Sequence, residues 1–172
     1  MNPDLPQIFV AIGANLPSPR FGAPPASFAA ALDLLRSRGV DVLAVSRWYR
    51  SPPLPPSPQP HYINGVIKVR FDRSPEELLS LLHQIERIFG RVRGERNAAR
   101  SLDLDLLAYG DAIVAGGAGG LEVPHPRLSE RSFVLLPWAE LSPSWRHPAS
   151  GLTVAEMIAR LPPGQDIELL SG

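Results

Sequence analysis

The chain contains no cysteine among its 172 residues, which excludes disulfides, thiolate metal sites and cysteine nucleophiles. Lysine is almost as scarce: Lys68 stands alone against 16 arginines. Positive charge is therefore carried by planar guanidinium forks, which suit phosphate and carboxylate recognition. The formal net charge is zero and no aromatic stripe for reading RNA is evident, so a nucleic-acid module is the weakest class. No stretch approaches the length of a membrane span, and the opening MNPDLPQIFVAIG lacks a basic segment followed by a signal-length apolar run. A cytoplasmic protein is the expectation. The phosphate-loop pattern G-x-x-x-x-G-K-[ST] is missing, as are the dinucleotide pattern G-x-G-x-x-G and any internal repeat.

What is present fits one domain over residues 1–172, with 44% apolar and 20% charged residues. QIFVAIG reads as an early core strand, followed by a Pro- and Gly-rich loop. SFAAALDLLRSRG predicts a helix with Ser27 as its cap and Gly39 as its stop. VDVLAVSRWYR then reads as one strand. SPPLPPSPQP, residues 51–60, has too many prolines for a helix or a central strand and predicts a stiff loop. HYINGVIKVRFD alternates, with Ile63, Gly65, Ile67, Val69 and Phe71 on one face and Tyr62, Asn64, Val66, Lys68 and Arg70 on the other.

The strongest helix signal is SPEELLSLLHQIERIFG. Ser74 and Glu77 form a capping box, Pro75 takes the first helical position, and Leu78, Leu82, Ile85 and Phe89 make an apolar stripe. TVAEMIARL repeats the T-x-x-E cap. SERSFVLLPWAEL predicts a helix bent or weakened at Pro137, and a short strand is expected between the Gly-rich stretch near residue 116 and PHPRLSER. The order of elements predicts a two-layer α+β fold with a ferredoxin-like core, an antiparallel-rich sheet and packed helices.

The chemistry concentrates in RSLDLDLLAYG. If this stretch is extended, Leu102, Leu104 and Leu106 face one way and Asp103 and Asp105 the other. Such a repeat by itself fits an edge strand with a wet acidic face first, and a carboxylate pair that binds Mg²⁺ second. Upstream, residues 86–100 carry five arginines, Arg91, Arg93, Arg96 and Arg100 among them, against Glu86 and Glu95. Adjacent anionic and cationic sites are what a metal-bound polyphosphate requires. An arginine-bearing loop beside an acidic strand can stabilise phosphate charge without a protein nucleophile. Tyr62 and Asn64 share a strand face, where an aromatic surface and an amide can meet a flat ligand, and His125 and Arg131 flank a turn-to-helix transition near Phe133.

Together these segments resemble the 6-hydroxymethyl-7,8-dihydropterin pyrophosphokinase family. The resemblance rests on AIGANL, RSPPL, HYINGV, IERIFGRVRGERNAARSLDLDLLAYG and VPHPRLSERSFVLLPWAELSP; the family's usual G-P-R-T before the acids reads AARS here, with Arg100 kept. It implies a ferredoxin-like α+β fold and transfer of diphosphate from ATP to the hydroxymethyl group of the dihydropterin, with release of AMP. It further implies that Asp103 and Asp105 hold two Mg²⁺ ions. The implied phosphate binders are Arg91, Arg93, Arg100, His125 and Arg131, with Arg91 and Arg93 also acting in catalysis. The implied pterin pocket comprises Ser51, Pro53, Leu54, Tyr62, Asn64 and Phe133. The implied partners are ATP and the pterin alone, without nucleic acid or membrane, for a monomer. The competing reading of the same acids and arginines is a divalent-metal-dependent phosphohydrolase or nuclease.

Overall fold

The computed structural model describes residues 5–91, 94 and 98–171. Along the chain these form β1 (Ile8–Ala14), α1 (Pro24–Ser37), β2 (Asp41–Val45), β3 (Tyr49–Ser51), β4 (Tyr62–Arg70), α2 (Pro75–Ile88), β5 (Asp103–Tyr109), α3 (Ser132–Leu141), α4 (Val154–Ala159) and β6 (Glu168–Leu169). One antiparallel sheet runs in the order β5-β1-β4-β3-β6, with β2 also paired to β4. The path β1–α1–β2–β4–α2–β5 is the expected two-layer ferredoxin-like core. α3 and α4 add a partial cover on the opposite face.

Alternation in the strands decides which side chains meet which layer. Ile8, Val10 and Ile12 of β1, Ile67 and Val69 of β4, and Leu104 and Leu106 of β5 pack under Phe28 and Leu35 of α1 and Leu78, Leu82 and Ile85 of α2. On the other face Phe9, Val66, Leu107 and Ala108 meet Val134, Leu135 and Trp138 of α3, with Val154 and Met157 of α4. The register of β1 against β5 slips by one between Phe9 and Val10, so Leu107 is the extra residue of a β-bulge.

Both capping boxes form. Ser74 Oγ accepts from Glu77 N–H at 3.2 Å and Glu77 returns an oxygen to Ser74 N–H at 3.0 Å, while Thr153 and Glu156 repeat the exchange at the start of α4. The first helix departs from its sequence reading. It begins at Pro24, whose fixed φ is already helical, and Ser27 lies buried inside the first turn with its hydroxyl donating to Pro24 O at 3.0 Å.

The single strand expected over VDVLAVSRWYR is divided in two. Ser46 exchanges hydrogen bonds with the Val66 backbone, and the Trp48 ring lies over Gly65, where any Cβ would collide with it. α3 continues through Pro137 to Leu141 but starts at Ser132, because Leu128–Glu130 form a separate 3₁₀ turn. The strand expected before PHPRLSER is reduced to a single bridge, Val114 to Val123.

Candidate active site

α3 lies over β4 and reaches β3, which leaves the end of the sheet where β1 meets Asp103 without a helical cover. There the register sets two rows across three strands: Asp103, Gly13 and Asn64 side by side, then Asp105, Ala11 and Val66. Paired residues share a face, so the acids stand on one flank, Asn64 and Tyr62 on the other, and the small residues Gly13 and Ala11 form a floor between them. A cavity of about 700 Å³ opens above this floor.

Ser51, Pro53, Leu54, Tyr62, Asn64 and Phe133 line the cavity. Ser51 and Asn64 are buried, and the Asn64 amide donates to Ser51 Oγ at 3.0 Å, whereas Leu54 is 58% exposed at the rim. A Cβ on Gly13 would strike Asn64 Oδ1, so the amide occupies space that only glycine leaves free. Burial raises the Tyr62 pKa and keeps the phenol protonated.

Arg100, Asp103, Asp105, His125 and Arg131 line the cavity as well. Asp103 accepts from Arg91 at 2.7 Å and pairs with Arg100 at 3.0 Å. Arg91 also pairs with the buried Glu86, which places it behind Asp103 rather than in the cavity wall. Arg93, expected among these groups, lies outside the described residues. Asp105 sits at the bottom of the cavity, where burial, reinforced by the Asp103 charge, pushes its pKa up to about 7.

His125 is held the other way, down to about 4, by burial and by the nearby Arg131 charge. Its Nδ1 accepts the Arg127 N–H at 3.1 Å, which leaves Nε2 as the protonated nitrogen of a neutral ring. Burial also lowers the Arg131 pKa, with Asp105 opposing, and its guanidinium lies 5.5 Å from the centre of the Phe133 ring.

Sequence reasoning passed over several residues of this site. Asn15, which follows β1, is 5% exposed; its amide donates to Gln59 Oε1 at 3.0 Å and Pro60 O at 3.3 Å, and its Oδ1 accepts Arg100 N–H at 2.8 Å. One side chain thus ties the proline loop to the segment that enters β5. A polar residue directly after a buried strand was the available signal. Gly13, Arg127 and Glu130 also line the cavity.

Two carboxylates on one strand face, close enough for Asp103 to raise Asp105, form a pair that a cation would stabilise. Among the described residues no third His, Asp or Glu joins them in a ligand cluster. That donor set fits Mg²⁺, which takes one or two protein carboxylates and fills its octahedron with water and substrate phosphate.

A family model described as 7,8-dihydro-6-hydroxymethylpterin-pyrophosphokinase (HPPK) matches residues 9–143. A 2-amino-4-hydroxy-6-hydroxymethyldihydropteridine pyrophosphokinase of Synechocystis sp. is 46% identical over 123 residues, 72% of this chain and 62% of that protein. The protein of the same name from Pseudomonas aeruginosa is 39% identical over 167 residues, 96% of this chain and 98% of its own length. Among solved structures, wild-type HPPK-DHPS of Plasmodium falciparum shares the fold at a TM-score of 0.63 and 10% identity, covering 91% of this chain and 44% of that one. With the matched segment running from β1 past the end of α3, and so through every wall of the cavity, the chain belongs to the 7,8-dihydro-6-hydroxymethylpterin-pyrophosphokinase family.

Proposed function

We propose that this chain transfers the terminal diphosphate of ATP to the hydroxymethyl group of 6-hydroxymethyl-7,8-dihydropterin, yielding AMP and the pterin diphosphate in folate biosynthesis. The observation that carries the reading is the two-sided cavity. Asp103, paired with Arg100, and Asp105 face the Asn64 and Tyr62 flank across a floor only Gly13 and Ala11 wide. A flat heterocycle on one side and a polyphosphate on the other would bring an alcohol and a phosphorus together.

In this reading the pterin ring lies between Tyr62 and Phe133, and its polar edge meets the Asn64 amide, with Ser51, Pro53 and Leu54 completing the wall. Arg100, Arg131 and Arg91 supply charge to the phosphates, joined by Arg93. His125 donates from Nε2, a role its low pKa leaves unchanged across neutral pH. The alcohol oxygen attacks the β-phosphorus, the bond from that phosphorus to the oxygen bridging the α-phosphate breaks, AMP leaves, and the hydroxyl proton is lost to solvent. Asp103 and Asp105 would hold two Mg²⁺ ions, whose contribution is to screen phosphate charge and ease deprotonation of the alcohol.

Fixed donors aimed at the developing oxygen charge supply the rest of the stabilisation. The chain acts as a monomer in the cytoplasm on two small molecules, without nucleic acid or membrane. Among the described residues no helix is long and apolar enough to cross a membrane. The phosphohydrolase alternative draws no support from the family assignment, since it needs water rather than an alcohol as acceptor.

Incubation of the purified chain with ATP, Mg²⁺ and the reduced hydroxymethylpterin tests this reading. AMP and pterin diphosphate should form in equal amounts, and chelation of the metal should stop both. Release of ADP, or of phosphate without any need for the pterin, would overturn it.

A further inference from the structure

Helix α3 begins without a cap of its own. Its N-cap residue is Arg131, whose side chain has only donors to offer and instead points its charge into the cavity. A helix start needs acceptors for its first N–H groups, and here they come from far along the chain. Gln165 Oε1 accepts Ser132 N–H at 3.1 Å, Gln165 Nε2 donates to Glu130 O at 2.8 Å, and the Ser132 hydroxyl donates to Gln165 O at 2.8 Å.

Glu130 O and Ser132 N belong to the two peptide planes that flank the Arg131 Cα. One amide therefore holds both planes, and with them the φ of −119° and ψ of 112° that aim the Arg131 side chain. Ser132 is 3% exposed, so its half of the contact is shielded from competing water, while the bond to Glu130 O lies at the surface. The segment carrying Gln165 is itself anchored three residues on, where β6 pairs with β3 at Arg50 and Tyr49 and Leu170 N–H reaches Trp48 O at 2.9 Å. Gln165 and β6 lie beyond residues 9–143, the part of the chain that matches the family model, whereas the residues they hold lie within it.

We infer that Gln165 is a positioning residue for the phosphate chain, acting through Arg131: a clamp supplied by the C-terminal segment that fixes the backbone of the arginine against the anionic co-substrate. The inference rests on the reaction proposed above.

Its test is a double-mutant cycle. Gln165→Met keeps the bulk and removes both amide hydrogen bonds. kcat/KM for ATP and the calorimetric affinity for ATP should fall roughly tenfold or more while pterin binding stays constant, since a displacement of an ångström at a positioning group costs that much. In an Arg131→Ala background the same substitution should add almost nothing, because its effect passes through the missing side chain. If Gln165→Met folds poorly, Gln165→Glu carries the same cycle, since it keeps the acceptor for Ser132 and loses the donor to Glu130.

Unchanged ATP kinetics in a folded variant, an equal loss in the Arg131→Ala background, or matching losses for both substrates would overturn the clamp. Failure of the wild-type chain to form pterin diphosphate would instead remove the proposed reaction. The ATP-binding arm of the cycle would still report on the clamp.

Discussion

The two faces of β5 differ sharply along its first four residues. Leu104 and Leu106 are sealed between the sheet and α2 at 2% and 4% exposure, while one residue away Asp103 and Asp105 open into a cavity of about 700 Å³. The same backbone serves both, and the alternation of the strand keeps them apart. The dry face is where burial of apolar surface holds the fold together. The wet face carries Asp103, already paired with Arg91 and Arg100, and Asp105, whose proton is held by burial and by the Asp103 charge. Stability and chemistry are thereby placed on opposite sides of a single strand, so a change on one side need not disturb the other.

Substitutions on the two faces should separate these quantities. Asp103→Ala is expected to lower kcat/KM on the order of a thousandfold, with a urea midpoint close to that of the parent. Leu104→Ala should lose about 2–5 kcal/mol of stability while the fraction that remains folded turns over near the parental rate. Equal damage to activity and stability by both variants would erase the distinction.

A smaller effect is expected where the wet face crosses onto its neighbour. Gly13→Ala puts a methyl group against Asn64 Oδ1, and the amide must swing away. KM for the pterin should rise about ten- to a hundredfold, as expected for loss of a hydrogen-bonding site for a buried polar edge, with KM for ATP nearly constant. A parallel rise in both constants would mean that the floor is not divided between two ligands.

The smallest effect concerns pH. Between about pH 4 and 7 the unfolded chain has released the Asp105 proton that the folded chain retains, so this group lowers stability as pH rises through that window. His125 works in the opposite sense. From its ordinary 6.5 down to about 4 the unfolded chain takes up a proton that the folded chain refuses, so stability falls as pH falls. Asp105→Asn removes the first slope and exposes the second. Urea unfolding of this variant in the presence of chelator should gain on the order of 1 kcal/mol from pH about 4 to 6.5 and then level off. A profile parallel to that of the parent would mean that Asp105 ionises as an ordinary surface carboxylate.

How much of this was legible beforehand follows from the range of each interaction. The capping boxes at Ser74 and Thr153 close within three residues, and both were readable. The leucine and aspartate alternation was readable for the same reason, and so was a loop in the proline-rich stretch, which begins after Ser51 because that residue closes β3. Ser27 misled because a hydroxyl near a helix start looks like a cap, whereas Pro24 had already set the backbone. The break between β2 and β3 depends on Trp48 lying over Gly65, and that contact exists only once β4 is in place. Asn15 and Gln165 act across 44 and 33 residues respectively, and nothing in their immediate neighbours announces a partner at that distance. Tyr62 and Asn64 stood out by sharing a strand face, whereas Ser51, Pro53 and Leu54 were supplied by the resemblance to the family alone.

The bulge at Leu107 carries a last consequence. On the near side of the bulge the acids share a face with Phe9 and Ala108; on the far side Tyr109 has changed phase, packs with the α2 layer and donates its hydroxyl proton to Arg73 O. The doubled leucine in LDLDLLAY is the written trace of that change of phase. Spacing in β5 is therefore a counted quantity: Asp103, Asp105 and Tyr109 lie an even number of residues apart, so a strand of this length paired residue for residue could keep Tyr109 seated only by turning both carboxylates into the hydrocarbon beneath α2. The extra residue, as much as the identity of its neighbours, is what keeps the acids in the water.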